Sequence, residues 1–140
     1  MGLKTYNAKQ VSVIFGNVPM SGYGDSEFLS IEMNEDQWEL KVGVDGSGTR
    51  AKNNNRSAKI KMTLQQSSDA NAILQGFWNA DQLSNSGVQG FVAKDASGFS
   101  IYTAASAWIM KQPVAKFSKG VEMREWTLET DSMSPSEGGN

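Results

Sequence analysis

The 140-residue sequence contains no cysteine and no histidine. Without cysteine there are no disulfides, no thiolate metal sites and no thiol nucleophile. Without histidine, the commonest general base and the commonest transition-metal ligand are missing, and a Ser-His-Asp triad cannot be built. Chemistry by carboxylates alone stays open. Neither sign of charge dominates: 13 Lys and Arg stand against 15 Asp and Glu, a net charge of −2. That balance argues against non-specific DNA binding by the chain as a whole, which needs a basic surface. No apolar run approaches the ~20 residues of a membrane helix, and Met1 to Gln10 has no apolar signal-like stretch, so neither a membrane anchor nor a secretory signal is expected. Tyr6 stands where a myristoylation signal needs Ser or Thr. Asn55-Arg56-Ser57 matches a glycosylation sequon, but it lies in a polar loop of a chain with no visible signal peptide.

What is present is an ordinary globular composition, 39% hydrophobic and 20% charged. The length suits one domain, which can hide roughly 70% of its unfolded surface without staples. Apolar residues recur mainly with period two, the mark of half-buried antiparallel strands. Val11, Val13 and Phe15 alternate up to a break at Gly16-Asn17, and Ile31 and Met33 alternate with Ser30, Glu32 and Asn34. After Glu35-Asp36 come Trp38, Leu40, Val42 and Val44, and then Ala58, Ile60, Met62 and Leu64. Ile31, Met33, Trp38 and Leu40 are expected to face the core.

Between the last two strands lies a stretch from Asp45 to Ser57 with no apolar pattern, too long for a hairpin turn. A helix is expected over residues 69–83, with Ser67 or Ser68 as cap and Ala70, Ile73, Leu74, Phe77 and Trp78 on one face. Strands resume over 88–94 and 99–110 around the turn Asp95-Ala96-Ser97-Gly98. In the last strand, Val121, Met123, Trp126 and Leu128 do not share one parity, which predicts a bulge near Arg124-Glu125. Residues 1–131 form the expected domain, and 132–140 read as a flexible tail.

No motif in this frame carries chemistry. Asp45-Gly46-Ser47-Gly48-Thr49 resembles a calcium loop only faintly, because Arg50 and Arg56 occupy the positions that need Gly and a bidentate Glu. Glu35, Asp36 and Glu39 could in principle form a hydrolytic carboxylate pair, but they read as a solvated turn and strand face. Trp38, Trp78, Trp108 and Trp126 could stack on sugars or bases, yet three of them fall on apolar faces. No catalytic, cofactor or metal residues are assigned.

The order of charges says more. Asp25, Glu27, Glu32, Glu35, Asp36 and Glu39 are interrupted by no cation, and Lys41, Arg50, Lys52, Arg56, Lys59 and Lys61 by Asp45 alone. A second acidic block runs from Glu122. Two readings stand side by side: complementary surfaces on neighbouring copies, and local cross-strand pairs such as Glu39 with Lys61.

The order of parts also carries a resemblance. Ile31-Glu32-Met33 precedes an acidic turn, and Val42-Gly43-Val44-Asp45-Gly46 leads towards the strand Lys59 to Leu64. The helix with Asn71 and Leu74 follows, then the run Ala107 to Pro113 and the strand with Arg124-Glu125-Trp126. Over nearly the whole chain this resembles the small tail-tube proteins of contractile-tailed bacteriophages, which share their architecture with tailocin tubes and the type VI secretion tube. Gln112 departs from the family pattern, where another Pro or Lys stands.

The resemblance implies a mainly β fold, a two-sheet sandwich or barrel of antiparallel strands with one flanking helix. It implies hexameric rings stacked into a tube, with an inner barrel through which DNA passes without specific binding. The implied partners are further copies of the chain, the tail sheath, the tape-measure protein, the baseplate hub and the tail terminator. The implied setting is a virion assembled in the host cytoplasm, with no cofactor and no catalysis. The alternative is a β-sandwich ligand-binding module, for instance for carbohydrate.

Within this frame the 45–57 arm, with Arg50, Lys52 and Arg56, is expected to reach a neighbouring copy. Asp25, Glu27, Glu35, Asp36, Glu125 and Glu129 supply its complementary acidic surface. Ser30, Glu32, Asn34, Glu39, Lys41 and Lys61 form a polar strand face towards the channel or the outside.

Overall fold

Gly16 and Asn17 both take positive φ, 61° and 64°, and close the first hairpin as a primed two-residue turn. The computed structural model describes residues 2–139. After a 3-10 turn at Ala8–Gln10, this hairpin joins β1 (Val11–Phe15) to β2 (Val18–Pro19). There follow β3 (Leu29–Met33), β4 (Trp38–Val42), β5 (Gly48–Lys52), β6 (Ala58–Gln65) and α1 (Ala70–Ser84). The chain continues through β7 (Gln89–Asp95), β8 (Ile101–Lys111), β9 (Met123–Thr130) and β10 (Ser134–Ser136).

Eight strands form one antiparallel sheet in the order β2-β1-β7-β8-β9-β6-β3, with β10 also on β8. Strand β8 spans 11 residues because it serves both halves. Along one edge, its start pairs with β10 and its end with β9. The outer strands β2 and β3 are joined by residues 20–28, which are tied to β6 by the Tyr23–Leu64 bridge and by the Gly24 N–H on Thr63 O at 3.0 Å. Inward residues of both halves meet in one core. Val13, Phe15, Phe91 and Ala93 come from one half, and Ile60, Met62, Leu64 and Leu128 from the other. The fold is therefore mainly β and sandwich-like, with open sheets and one helix against them.

Strand β6 shows the alternation clearly: Ala58, Ile60, Met62 and Leu64 are buried, while Lys59, Lys61 and Gln65 are exposed and Thr63 is half-buried. Helix α1 starts where the Ser68 hydroxyl accepts the Ala70 N–H at 3.2 Å and stops where Asn85 turns left-handed, φ 55°. Ala70 and Leu74 are buried, and Ile73, Phe77 and Trp78 pack against the core. The Trp126 indole N–H donates to Asn71 Oδ1 at 2.9 Å and fastens β9 to the helix. Phe77 meets Phe15 edge-on at 5.1 Å, and its Cζ lies 2.5 Å from where a Cβ on residue 16 would stand. Gly16 is thus required twice, by backbone conformation and by space.

Three sequence expectations are corrected. No bulge forms at Arg124-Glu125: β9 pairs with β6 unbroken from Met123↔Gln65 to Thr130↔Ala58. The irregularities lie on β8, at Met110 against β9 and between Ala104 and Ala107 against β7. The parity had seemed mixed because Met123 belongs to the outer face and Val121 precedes the strand. Second, the tail lies against the domain. Met133 is fully buried, β10 pairs with Ile101–Thr103, and the Tyr102 hydroxyl donates to Glu137 Oε1 at 3.0 Å. An unpaired edge of β8 lay available there, which its own sequence does not announce. Third, the patternless 45–57 stretch contains β5.

Candidate functional site

Strands β4 and β5 pair with each other and with no other named strand, and every residue in them is exposed. Their connection is a tight turn. The Gly43 N–H donates to Ser47 O at 2.7 Å, Gly46 adopts φ 87°, and Asp45 Oδ1 accepts the Ser47 N–H at 3.0 Å. Those Ser47 hydrogen bonds hold the Asp45 carboxyl below its ordinary pKa. The 45–57 arm thus supplies the turn and the returning strand of a two-stranded ribbon that runs out from Trp38 and back to Lys52, while 53–57 lie at its base.

Trp38 and Leu40, expected in the core, are 48% and 67% exposed. Alternation shows that one face is apolar; it does not say what covers that face. In the β4–β5 register Trp38 faces Lys52, Leu40 faces Arg50 and Val42 faces Gly48. One face of the ribbon is thus apolar and basic. The other carries Glu39, Lys41, Thr49 and Ala51, with Lys41 and Glu39 ion-paired at 3.6 Å. The Arg50 guanidinium lies 3.8 Å from the Trp38 ring centroid, a stacking worth about 0.5–1 kcal/mol at an exposed site.

The ribbon continues the β3–β6 pair with a one-residue offset. Between Met33↔Ala58 and Trp38↔Lys52, the outgoing side has residues 34–37 and the returning side 53–57, one more. Polar groups hold this junction. The Asn53 N–H donates to Gln37 O at 2.7 Å, Asn34 N–H to Ser57 O at 3.0 Å and Gln37 Nε2 to Asn55 O at 2.8 Å, while Glu35 Oε2 accepts from Asn55 Nδ2.

The charged residues singled out in the sequence separate into distinct places. Arg50 and Lys52 are on the ribbon. Arg56 is not: it is partly buried beside the tail, bridging to Ser132 and donating to Met133 O at 3.1 Å. Asp25 and Glu27 are exposed on the 20–28 connection, and Glu35 and Asp36 at the junction. Glu125 and Glu129 lie on β9 opposite Thr63 and Lys59 of their own chain.

Ser30 and Glu32 oppose Lys61 and Lys59, so Glu32, Lys59 and Glu129 stand in one row on the outer face. Asn34 is tied to Ser57 by its side chain at 2.9 Å, and Glu39 and Lys41 sit on the ribbon, away from that face. Glu39 opposes Ala51, not Lys61. Strand register within the chain thus places Glu32, Lys59 and Glu129 side by side, while Glu35 and Asp36 lie apart from this row at the ribbon junction.

Sequence reasoning missed a basic depression of about 410 Å³ on the outer face, lined by Lys59, Lys61, Lys111 and Lys116 with Glu125 as its acid. A signal existed: residues 96–121 carry Lys111, Lys116 and Lys119 and no acid. Among the described residues no cluster of His, Cys, Asp and Glu could hold a metal ion. The tryptophans do not offer an open platform at Trp126, which is buried, or at Trp38, whose ring face Arg50 covers.

Comparison with known proteins adds to this geometry. The profile of a family described as "Bacteriophage PhiTE tail tube protein" matches residues 5–135. A protein of Pseudomonas phage KPP10, described as "Structural protein ORF10", is 28% identical over 144 aligned residues, covering 97% of this chain and 83% of that protein. The fold is similar to the tube-terminating cap of the anti-feeding prophage, with a TM-score of 0.65, 12% identity and coverage of 97% and 93% of the two chains. It is also similar to a chain of the sheath–tube complex of the PVC extracellular contractile injection system, with a TM-score of 0.61, 13% identity and coverage of 94% and 91%.

Proposed function

The chain belongs to the bacteriophage tail tube protein family, a structural family and not one of enzymes, and on that premise we propose that it is a tube subunit whose β4–β5 ribbon docks on a neighbouring copy. One observation carries the docking: a two-stranded ribbon presents Trp38, Leu40 and Val42 on a single face that stays largely exposed, with Arg50 stacked on Trp38. A lone two-stranded ribbon is marginal in water, and an apolar face on it is stabilised by a partner surface. The free edge of β3, paired on one side to β6 only, supports lateral continuation of the sheet into the next subunit.

In this reading six copies close a ring, and rings stack into a tube. The tube runs inside a sheath, is filled by a tape-measure protein and ends at a baseplate hub and a terminator. It assembles in the host cytoplasm and becomes part of the virion. DNA passes without specific contacts, consistent with a net charge of −2. The role is architectural, with no cofactor and no catalysis.

Arm docking uses apolar area from the ribbon, and Arg50 and Lys52 set register more than affinity. The test is electron microscopy of the purified protein beside a variant in which residues 38–52 are replaced by Asn-Gly. The cut leaves 53–57 in place because that segment holds the junction and Arg56. Wild type forms rings or tubes, and the variant stays folded and unassembled. Normal tubes from the shortened chain, or wild type that stays at 15.2 kDa at every concentration, overturn the reading.

A further inference from the structure

Charge on this molecule is mostly left unpaired. Against 13 basic and 15 acidic side chains, the described residues hold one ion pair, Lys41 with Glu39. In the outer-face depression four lysines converge from three segments: Lys59 and Lys61 from β6, Lys111 from the end of β8, and Lys116 from the connection to β9. All four are exposed, and the depression holds a single carboxylate, Glu125.

Lys59 has Glu32 and Glu129 beside it in register. Lys61 does not, since its neighbours are Ser30 and Thr127, and Lys111 also faces Thr127. A recess between like charges, with an apolar wall at Val114, disfavours another cation and favours an acidic segment.

Such a segment exists on the same chain, too constrained to fold back. At the ribbon junction the turn Glu35-Asp36 is exposed. Glu35 is oriented by Asn53 and Asn55, and the Asp36 carboxylate has no partner among the described residues. The junction is pinned to residues 53–57 by backbone hydrogen bonds on both sides.

We propose that the lysine depression of one copy receives the Glu35-Asp36 turn of a second copy. This rests on the tube-subunit reading and names the seat of the ribbon's base. It also reverses the polarity expected of the arm: the base presents acids to lysines, while the apolar face packs further along. Because the groups stay near solvent, the contact weakens with salt over the range in which the Debye length falls below about 10 Å.

The experiment assembles equal parts of unlabelled and 15N-labelled wild-type chain. The product is treated with a carbodiimide, which joins lysine to a contacting carboxylate, and a second sample is acetylated. The expected result is mixed-isotope peptides linking Lys111 or Lys116 to Glu35 or Asp36, absent from dilute unassembled chain. Acetylation of the four lysines should slow at least tenfold on assembly. The double variant Lys111→Glu, Lys116→Glu should fail to assemble alone and should co-assemble with Glu35→Lys, Asp36→Lys.

Tubes whose lysines acetylate as fast as in unassembled chain, or with no mixed link to Glu35 or Asp36, overturn the proposal and leave the tube reading standing. Protection of the same lysines in unassembled chain by a duplex oligonucleotide assigns the depression to nucleic acid and also overturns it. Wild type that forms no ordered assembly removes the tube reading, and the proposal with it.

Discussion

Replacing Leu40 and Val42 together by Ser tests the ribbon without touching the Trp38–Arg50 stack. In the isolated chain these side chains are 67% and 61% exposed, so little is lost on folding, and the monomer should change by less than about 0.5 kcal/mol. Assembly is another matter. Full burial of a Leu or Val side chain contributes about 1.5–3 kcal/mol. About two thirds of each is still available here, so each contributes ~1–2 kcal/mol at a docked interface and the pair ~2–4 kcal/mol. At 1.4 kcal/mol per tenfold, the critical concentration for tube formation should rise about 30- to 700-fold. Sedimentation of polymer at graded protein concentrations measures it, and urea unfolding of dilute chain provides the folding control. An unchanged critical concentration refutes the docking role of this face. A monomer destabilised by more than ~1 kcal/mol refutes the premise that the face stays largely exposed within the chain.

Further outcomes follow from other parts of the fold. Gly16→Ala places a methyl group 2.5 Å from Phe77 Cζ on a backbone with φ 61°; left-handed strain and overpacking together should cost about 2–4 kcal/mol in urea unfolding. Met133→Ser opens a cavity under the C-terminal segment and buries a hydroxyl, so a loss of about 2–5 kcal/mol is expected, whereas a loose tail would give none. Asp45 has a lowered pKa in the folded chain. Its stabilisation of the ribbon turn is therefore complete above the ordinary aspartate value and fades as pH falls through the lowered one. The Ser47 amide resonance should titrate with a midpoint below 3.8, and a midpoint at or above that value would contradict the hydrogen bonds seen.

Local chemistry alone determined a good deal of this protein. The period-two runs of β1 and β6, the one-sided helix and the Gly16-Asn17 turn are properties of neighbours in sequence, and each forms as its own residues dictate. The missing cysteine and histidine narrowed the chemistry before any fold was known. The ordered sequence of strand, acidic turn, helix and Trp126 strand carried the family resemblance.

What only the tertiary structure decided depends on partners distant in sequence. The apolar alternation of Trp38, Leu40 and Val42 is the same whether a core or a neighbouring molecule covers it, and pairing with β5 alone left it outside. Arg56 looked like part of a basic arm until Met133, 77 residues on, gave it a carbonyl. The tail carries too little apolar mass to order itself, yet Met133 is buried because β8 had an edge to offer. The lysine depression brings together Lys59, Lys61, Lys111 and Lys116 across a sheet register that no local pattern encodes, since strand pairing is set by the packing of the whole sheet.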